Sequence, residues 1–292
     1  MKQSIPSLDL PKSKMLKLRN MGYTNVNELN STLLNSLEIE LKKPPVTKTS
    51  LELLEEEILN GCILTFNTDL DQILKDEIMP RKIVELAGVP GSGKTQISFQ
   101  LCITVQLPKA LGGLEGEAIY ISTNNNMAPH RIEEMSEKFI KQVKDVVPGL
   151  KLSADYILKH IYVIFCNNFT ELKACIKYFA NFLLDKKVKL IVIDSIATPL
   201  RELNQEDRTN SLQSLLSDLQ SLSNLFNFAI IITNDFTTRI KGGQSYYTPS
   251  FGDSLFHRVN TRICLSKENS VHYAELVKSI MKPPTKVSFS VF

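Results

Sequence analysis

Residues 88–95 have the residue types and the spacing of a phosphate-binding loop. Their sequence, Gly-Val-Pro-Gly-Ser-Gly-Lys-Thr, matches the pattern G-x-x-x-x-G-K-[ST] in full. Glycines let backbone N–H groups approach anionic oxygens, and a helix that begins after the loop directs its N-terminal dipole toward the same phosphates. Lys94 would neutralise the β- and γ-phosphates, and the Thr95 hydroxyl would contact Mg²⁺. We therefore predict a nucleoside triphosphate site with magnesium.

A second candidate is an acidic residue at the end of an apolar run. Residues 190–193 are Leu-Ile-Val-Ile, and Asp194 follows them. In open α/β sheets, ligands bind at the carboxyl ends of the strands, which is where this carboxylate would lie. Taken alone, the pattern fits an aspartate that caps a helix equally well. With the phosphate loop present, we predict that Thr95 and Asp194 hold Mg²⁺.

The segments that must position these residues alternate between short apolar runs and longer helical stretches. The apolar runs are rich in β-branched residues and hydrophobic almost throughout, which is typical of strands buried on both faces. The order predicts an α/β fold with a twisted, mostly parallel sheet and helices on both faces. Predicted strands cover residues 83–87, 118–122, 161–165, 190–193 and 229–233, and predicted helices cover 95–105, 129–146, 170–184 and 209–226. The tail, with strand-like stretches at 262–266, 272–278 and 286–292, predicts an antiparallel extension at one edge.

The first residues of the chain have a different pattern from the core. Residues 1–41 have near-helical apolar spacing on either side of Gly22, which would end one helix in a left-handed conformation. Residues 42–49 contain two prolines and three lysines, a composition typical of a linker. We therefore predict a small helical domain at 1–41, similar to a helix-hairpin-helix domain, a linker at 42–49 and an ATP-binding core at 50–292.

The composition argues against several other classes of protein. The chain has 292 residues, with 34 basic and 31 acidic side chains, so its net charge of +3 gives no general field for nucleic acid. Its apolar runs are far shorter than the ~20 residues that span a bilayer, and we expect neither a membrane segment nor secretion. Five scattered cysteines favour reduced thiols in a cytosolic or nuclear protein over a zinc site.

On these motifs, the chain resembles the RecA-like strand-exchange ATPases, specifically the eukaryotic recombinase paralogues. The resemblance extends over residues 50–280 and is strongest at 49–66, 88–96, 112–121 and 233–240. It implies a RecA-like P-loop ATPase core that binds ATP and Mg²⁺. It also implies nucleotide contacts from Gly88, Val89, Pro90, Gly91, Ser92, Gly93, Lys94, Thr95, Gln96 and Arg131.

Two positions depart from the family pattern. Asn124 stands where the family has a glutamate that activates the attacking water, and an amide cannot accept that proton. Loss of a general base costs about 10²–10⁴ in rate. Asp235 stands where the family has a glutamine that resembles a γ-phosphate sensor, and a carboxylate there repels phosphate unless Mg²⁺ or a basic partner offsets it. We expect ATP binding with slow hydrolysis, unless the register of the motif differs or a neighbouring acid such as Glu117 supplies the base.

Two stretches that follow core strands are candidates for DNA contact. Residues 236–253 combine glycines, cations and aromatic side chains, a composition that suits single-stranded DNA. The resemblance implies that this stretch is the loop lining the DNA channel, although an ordinary solvated loop has a similar composition. Residues 201–208 are nearly balanced in charge and are expected to contribute less. The candidate DNA-binding residues are Arg239, Lys241, Tyr246 and Tyr247.

Other cationic residues and the histidines are weaker candidates for a role in nucleotide or metal binding. The resemblance implies that an arginine near Arg131 stacks on the nucleotide base, and a position on a helix surface is equally compatible. Arg258 and Arg262 lie near the expected subunit boundary and could reach a neighbour's nucleotide, but edge-strand cations are favoured. Four histidines lack metal-ligand spacing and are expected to be structural: His130, His160, His257 and His272.

The resemblance implies a function in the repair of DNA double-strand breaks by homologous recombination. It implies a nuclear protein, with a cytoplasmic pool and a meiotic role left open. The implied partners are other recombinase paralogues in a hetero-oligomer, the main strand-exchange recombinase, and single-stranded or branched DNA, with ATP acting mainly as a switch for assembly. Two alternatives remain at this point: a fully active DNA-dependent ATPase with strand-exchange activity, and an unrelated nucleotide-dependent kinase or transport ATPase.

Overall fold

The computed structural model describes residues 12–23, 28–29, 47–125, 127–147, 149, 152–241 and 243–291. The chain divides into two units, residues 1–54 and 55–292, which are described separately. In the first unit, helix α1 (Lys12–Asn20) is followed by Gly22, whose φ of +87° lies in the left-handed region that glycine favours. The predicted helix stop at Gly22 is confirmed. The helix predicted after it and most of the predicted linker 42–49 lie outside the described residues.

The second unit contains the α/β core. Helix α2 (Ser50–Asn60) crosses the boundary between the units. The chain continues through α3 (Thr68–Leu74), β1 (Ile83–Gly88), α4 (Lys94–Thr104), β2 (Glu117–Ser122), α5 (Pro129–Val146), α6 (Ala154–Lys159), β3 (Ile161–Phe165), α7 (Phe169–Leu184), β4 (Val188–Asp194), α8 (Ala197–Arg201), α9 (Gln205–Phe226), β5 (Ala229–Lys241), β6 (Gln244–Pro249), α10 (Gly252–Phe256), β7 (Thr261–Glu268), β8 (Val271–Lys278) and β9 (Thr285–Phe289).

The strands form one mixed sheet in the order β3-β2-β4-β5-β1-β7-β8-β9, with β6 paired to β5. The strands from β3 to β7 in this order run parallel. The β7–β8, β8–β9 and β5–β6 pairs are antiparallel. The carboxyl ends of β1, β2, β4 and β5 therefore meet at one edge of the sheet, where ligands bind in open α/β folds.

Each central strand buries side chains on both of its faces. In β5, Ala229 and Ile231 belong to the hydrophobic cluster that includes α4 and α5 side chains, whereas Ile230 and Ile232 belong to the cluster that includes α7 and α9 side chains. Successive strand residues point to opposite faces, so both sets must be apolar. This packing explains the nearly continuous hydrophobicity of the predicted strands and confirms the α/β fold with helices on both faces.

The elements predicted for the core are present, with small shifts at their ends, but two stretches predicted as loops are largely regular. Residues 201–208 contain the last residue of α8 and the first turn of α9. β5 continues eight residues past the predicted end at residue 233 and forms a hairpin with β6, which α10 follows. Pairing between the two strands satisfies the backbone of a segment whose glycines and polar residues indicate a loop. The predicted antiparallel extension is confirmed by β8 and β9.

The described residues also include the features relevant to membrane insertion and to disulfide formation. Among these residues, no helix combines the length and the hydrophobicity that a membrane-spanning segment needs. All five cysteines are free thiols in this structure.

Candidate nucleotide site and nucleic-acid surface

The phosphate loop joins β1 to α4, and its backbone requires glycine at three positions. A Cβ atom at Gly88 would lie 2.5 Å from the Leu265 carbonyl oxygen, so no larger residue fits beside β7. Gly91 and Gly93 have φ values of +79° and +103°, where residues other than glycine are strained. Gly93 immediately precedes α4, so the unpaired N–H groups of the first helical turn belong to the loop itself.

A cavity of about 510 Å³ opens beside this loop. Its volume lies within the range of about 300–1,000 Å³ that is usual for small-molecule sites. Pro90, Gly91, Gly93, Lys94, Thr95 and Gln96 line it from the loop and α4, and Asn124, Asp194, Asp235 and His272 line it from the sheet. The structure thus brings together most of the predicted nucleotide site, while Gly88, Val89 and Ser92 shape the loop without lining this nucleotide cavity.

Lys94 supplies the positive charge of the nucleotide cavity. Its ammonium group donates to the carbonyl oxygens of Gly88 and Val89 at 2.7 and 3.1 Å. It also lies 3.3 Å from a carboxylate oxygen of Asp235. The Lys94 side chain is only 9% exposed, so little solvent screens its attraction for an anion in the cavity.

Thr95 and Asp194, the predicted magnesium ligands, are in direct contact. The Thr95 hydroxyl donates to Asp194 Oδ2 at 2.7 Å, the Tyr120 hydroxyl donates to the same oxygen at 2.5 Å, and the Thr233 hydroxyl donates to Oδ1 at 2.5 Å. Burial and the charge of Asp194 raise the pKa of Tyr120, which therefore remains a donor. Three donors fix the orientation of this carboxylate.

The donor set fits magnesium bound together with phosphate. Mg²⁺ prefers oxygen ligands and is usually held by one or two protein oxygens with the rest supplied by phosphates and water. Within the described ranges, no group of three or more His, Cys, Asp and Glu side chains could hold a metal by itself. A metal ion at Thr95 and Asp194 would therefore depend on the oxygens of a bound nucleotide.

Asn124 lies in the nucleotide cavity just beyond β2. Its amide oxygen accepts a hydrogen bond of 2.5 Å from the Thr198 hydroxyl. Glu117, the acid considered as a replacement base, begins β2 and accepts from the Tyr162 hydroxyl at 3.0 Å. The five-residue advance along β2 from Glu117 to Ser122 spans about 16 Å. Glu117 therefore lies at the opposite end of the strand, and the alternative that it supplies the base is wrong.

Asp235 lies between two cations. One carboxylate oxygen is 3.3 Å from the Lys94 ammonium, and the other is 3.2 Å from the Arg201 guanidinium. The sequence indicated that a carboxylate here repels phosphate unless a basic partner offsets its charge. The structure supplies two such partners, one on each side.

Arg131 approaches the nucleotide cavity through Gln96. Its Nε donates to the Gln96 amide oxygen at 3.1 Å, and another guanidinium nitrogen lies 2.9 Å from Glu134. Gln96 lines the cavity and Arg131 does not. This arrangement fixes the Arg131 side chain at the start of α5 beside the site, and base stacking by Arg131 remains a prediction.

A second cavity, of about 490 Å³, lies between the α8–α9 junction and the base of the β5–β6 hairpin. Arg201, Arg208 and Arg239 all line it, and we call it the arginine cavity. Arg208 donates to the carbonyl oxygens of Leu200 at 3.0 Å and Leu203 at 2.8 Å, which holds the junction together. The stretch 201–208, expected to contribute little, thus supplies two of the three arginines.

The hairpin separates the predicted DNA-binding residues onto two faces. Arg239 pairs with Tyr246 and Thr238 pairs with Tyr247, so the two tyrosines point to opposite sides of the ribbon. Arg239 and Tyr246 share the face that borders the arginine cavity, and Tyr247 lies on the other face with 71% of its surface exposed. Lys241 ends β5, but its side chain lies outside the described part of the structure.

Arg262 is not the edge-strand cation that the sequence favoured. β7 lies between β1 and β8, inside the sheet. Arg262 is 5% exposed, and its Nε donates to the buried Glu85 carboxylate at 2.6 Å. Arg258 lies in the exposed turn before β7 and donates to the Ser217 hydroxyl at 2.6 Å.

One of the four histidines expected to be structural lies at the nucleotide cavity. His272 lines the nucleotide cavity, and its Nδ1 lies 3.2 Å from the Ser92 carbonyl oxygen. His130 instead lies beside Glu133 on the exposed start of α5.

Sequence reasoning missed several residues of the site. Tyr120 and Thr233 orient Asp194 from neighbouring strands, and the sequence around Tyr120 gives no signal of that contact. Arg201 and Arg208 belong to the stretch 201–208, which was expected to contribute little to DNA binding because its charges nearly balance. The structure shows that both arginines line one cavity. A polar residue at the end of an apolar run, as at Thr233, is the one signal that was available.

The comparisons with known proteins agree with this geometry. A sequence model of the Rad51 family matches residues 56–291. "DNA repair protein RAD51 homolog 3" of Cricetulus griseus is 35% identical over 257 residues, covering 83% of this chain and 70% of that protein. The protein of the same name in Dictyostelium discoideum is 33% identical over 246 residues, covering 80% of this chain and 64% of the relative. "DNA repair and recombination protein RadA" of Aeropyrum pernix is 31% identical over 252 residues, covering 84% and 75%. With a family match over most of its length, the chain belongs to the Rad51 family.

Proposed function

We propose that the chain is an ATP-binding recombinase paralogue that acts in the repair of DNA double-strand breaks by homologous recombination. The observation that carries this proposal is the convergence of the phosphate loop, Lys94 and the Thr95–Asp194 pair at one edge of a Rad51-family sheet. Two relatives are named as the third RAD51 homologue, which supports the likeness to the C paralogue of the nuclear recombinase. Nuclear location, a cytoplasmic pool and a meiotic role belong to the same proposal.

The chain's own groups would hold the nucleotide as follows. The loop amides and Lys94 bind the phosphate oxygens, Gln96 borders the cavity, and Thr95 with Asp194 holds Mg²⁺. Bound MgATP supplies the triphosphate charge that would order the site. Because Asn124 cannot take a proton from water, hydrolysis is slow and ATP acts mainly as a switch for assembly. This proposal contrasts with the alternative of a fully active DNA-dependent ATPase.

The arginine cavity and the hairpin support nucleic-acid contact. Arg201, Arg208 and Arg239 can attract backbone phosphates, and Tyr246 borders them on the same face of the hairpin. Aromatic stacking on bases requires no particular sequence. We assign single-stranded or branched DNA to this surface, and other recombinase paralogues and the main recombinase as protein partners. Family membership argues against an unrelated kinase or transport ATPase.

Calorimetry with MgATP tests the central claim. We expect the full-length protein to bind MgATP and Lys94→Ala to lose at least tenfold in affinity, because the variant removes the buried charge of the cavity. Lys109→Ala, which removes an exposed lysine that donates to the Leu59 carbonyl oxygen, is the matched control and should bind normally. Absence of heat with the wild-type protein, alone and together with its paralogue partners, would overturn the proposed function.

A further inference from the structure

A third cavity lies at the opposite edge of the parallel sheet from the nucleotide cavity. Its volume of about 380 Å³ is within the range of about 300–1,000 Å³ that is usual for small-molecule sites. The residues that line it include Gln106, Glu117, Tyr156, His160 and Lys187, and we call it the acceptor cavity. Glu117 begins β2, His160 precedes β3 and Lys187 precedes β4, so the acceptor cavity lies at the amino ends of these strands.

Gln106 presents a buried oxygen atom that lacks a donor. The residue is only 8% exposed, and its Nε2 donates to the carbonyl oxygens of Cys102 and Ile157, both at 3.1 Å. These two carbonyl oxygens use both protons of the amide nitrogen, so the nitrogen and oxygen of the amide cannot exchange places. Oε1 is therefore left as an acceptor, and within the described residues it has no hydrogen-bond partner.

Glu117 supplies a second acceptor, which carries a charge. Its Oε1 accepts from the Tyr162 hydroxyl at 3.0 Å, whereas its Oε2 is buried and meets no donor among the residues that the structure describes. Lys187, which also lines the cavity, lies 3.8 Å from Glu115 instead. Buried acceptors are nearly always paired with protein, water or a ligand, because an unpaired one is costly. Two such atoms at one cavity favour a ligand with several N–H donors.

The remaining groups indicate which kind of donor fits. The rings of Tyr156 and His160 stack with their centroids 4.1 Å apart, so the cavity has an aromatic wall. Two carboxylates, Glu115 and Glu117, and one ammonium group, Lys187, line the cavity, which favours a cation. A guanidinium group has five N–H donors, no acceptor, a positive charge and a flat face that stacks on aromatic rings.

We propose that the acceptor cavity binds a guanidinium group, which donates to Gln106 Oε1 and Glu117 Oε2 and stacks on the Tyr156–His160 ring pair. The group belongs either to an arginine side chain of a partner protein or to a free guanidinium compound, since both present the same chemistry. The inference goes beyond the proposed function and does not rest on it. No residue that lines the acceptor cavity also lines the nucleotide cavity or the arginine cavity.

Calorimetry on the full-length protein at low ionic strength tests the site, with the blocked tripeptide acetyl-glycyl-arginyl-glycine amide as the probe. We expect it to bind at least about tenfold more tightly than the citrulline tripeptide, which has a similar shape without the charge. It should also bind about threefold more tightly than the lysine tripeptide, which lacks the flat donor group. Saturating MgATP should leave these affinities unchanged, because the nucleotide cavity lies beyond the other end of β2.

Two variants of the chain give effects of opposite sign. Glu117→Gln keeps the acceptor for Tyr162 and should weaken binding of the arginine tripeptide by at least about tenfold, because it removes the charge. Lys187→Ala removes an exposed like charge and should tighten binding by about two- to threefold. Glu137→Gln, which changes an exposed glutamate on α5, is the matched control and should leave binding unchanged.

A comparison with agmatine distinguishes the two sources of the group. Tighter binding of the arginine tripeptide indicates a partner's side chain, and tighter binding of agmatine indicates a free compound; either result supports the site. Three results would overturn it: no binding of either probe to the wild type, equal binding of the citrulline or lysine tripeptide, or an unchanged affinity in Glu117→Gln. Displacement of the arginine tripeptide by MgATP would also overturn it, because the probe would then occupy the nucleotide cavity.

Discussion

Replacing Arg262 with methionine would leave a carboxylate without its cation in the middle of the sheet. Glu85 in β1 is fully buried, and it accepts hydrogen bonds from Arg262 Nε at 2.6 Å and Asn234 Nδ2 at 2.8 Å. Arg262 also lies 4.8 Å above the Phe256 ring. Methionine keeps an unbranched apolar side chain in contact with the ring while removing the charge, so the variant chiefly reports the loss of the ion pair.

Two separate estimates give the expected loss in the free energy of unfolding. Removing one partner of a buried ion pair typically costs about 3–5 kcal/mol. Alternatively, Glu85 avoids the unpaired charge by taking up a proton. For a carboxyl of ordinary pKa 4.5, that proton uptake costs about 3.4 kcal/mol at pH 7. Because protonation limits the loss, we expect the free energy of unfolding of Arg262→Met to fall by about 3 kcal/mol at pH 7.

The loss of stability in Arg262→Met should be larger at high pH than at low pH. Burial raises the pKa of Glu85, and the Arg262 charge opposes that rise, so the variant raises this pKa further. Between the raised pKa of Glu85 in the wild type and its still higher pKa in the variant, the folded variant binds more protons than the folded wild type, so the destabilisation grows as the pH rises through that window. The destabilisation should therefore shrink by up to about 1.4 kcal/mol for each unit of pH between pH 7 and pH 5.

Urea denaturation of the wild type and variants at several pH values provides the measurement. Arg258→Met is the matched control because this arginine is exposed, and it should change stability by no more than about 0.5 kcal/mol. The double variant Glu85→Gln/Arg262→Met removes both charges and should recover most of the loss. Equal losses for the Arg258 and Arg262 variants, or a loss that does not change with pH, would refute the reasoning.

Two further predictions concern the candidate sites. Asn124→Glu places a carboxylate in the nucleotide cavity and should raise ATP turnover by about 10² or more, whereas Asn125→Glu, an exposed neighbour outside that cavity, should not. Steady-state phosphate release measures both, and unchanged turnover in Asn124→Glu would favour the fully active ATPase. Tyr246→Ala should weaken binding of a single-stranded oligonucleotide by at least about fivefold, since stacking on one base contributes about 1–3 kcal/mol, while Tyr247→Ala on the opposite face should have less effect. Fluorescence anisotropy distinguishes them, and a larger effect of Tyr247→Ala would reverse the assignment of the faces.

The parts of the site that share one local segment were predictable from sequence. The phosphate loop requires glycines, a lysine and a threonine at fixed spacing, because one turn and one helix start must surround the same phosphates. Asp194 could be recognised because an apolar strand that ends in a carboxylate has a defined place in a parallel sheet. In both cases, residues adjacent in the chain are adjacent in space.

Contacts between distant segments were not predictable. The two partners of Asp235 lie far from it in the chain. Lys94 begins α4, 141 residues earlier, and Arg201 ends α8, 34 residues earlier. Arg262 was taken for an edge cation because a strand's place in the sheet depends on topology, which local composition does not contain. The β5–β6 hairpin was taken for a loop because its ladder hydrogen bonds form between residues whose types alone favour turns.

The fold class, the phosphate loop and the carboxylate that ends β4 could be predicted from local sequence, because each follows from a periodicity or spacing within one short segment. Which charges meet depends on the packed fold, which brings Asp235 to Lys94 and Arg201 and brings Glu85 to Arg262. The packed fold also determines which hairpin face borders the arginine cavity. The physical reason is that electrostatic interactions depend on distance and burial, and strand order and register fix both only after the whole chain has packed.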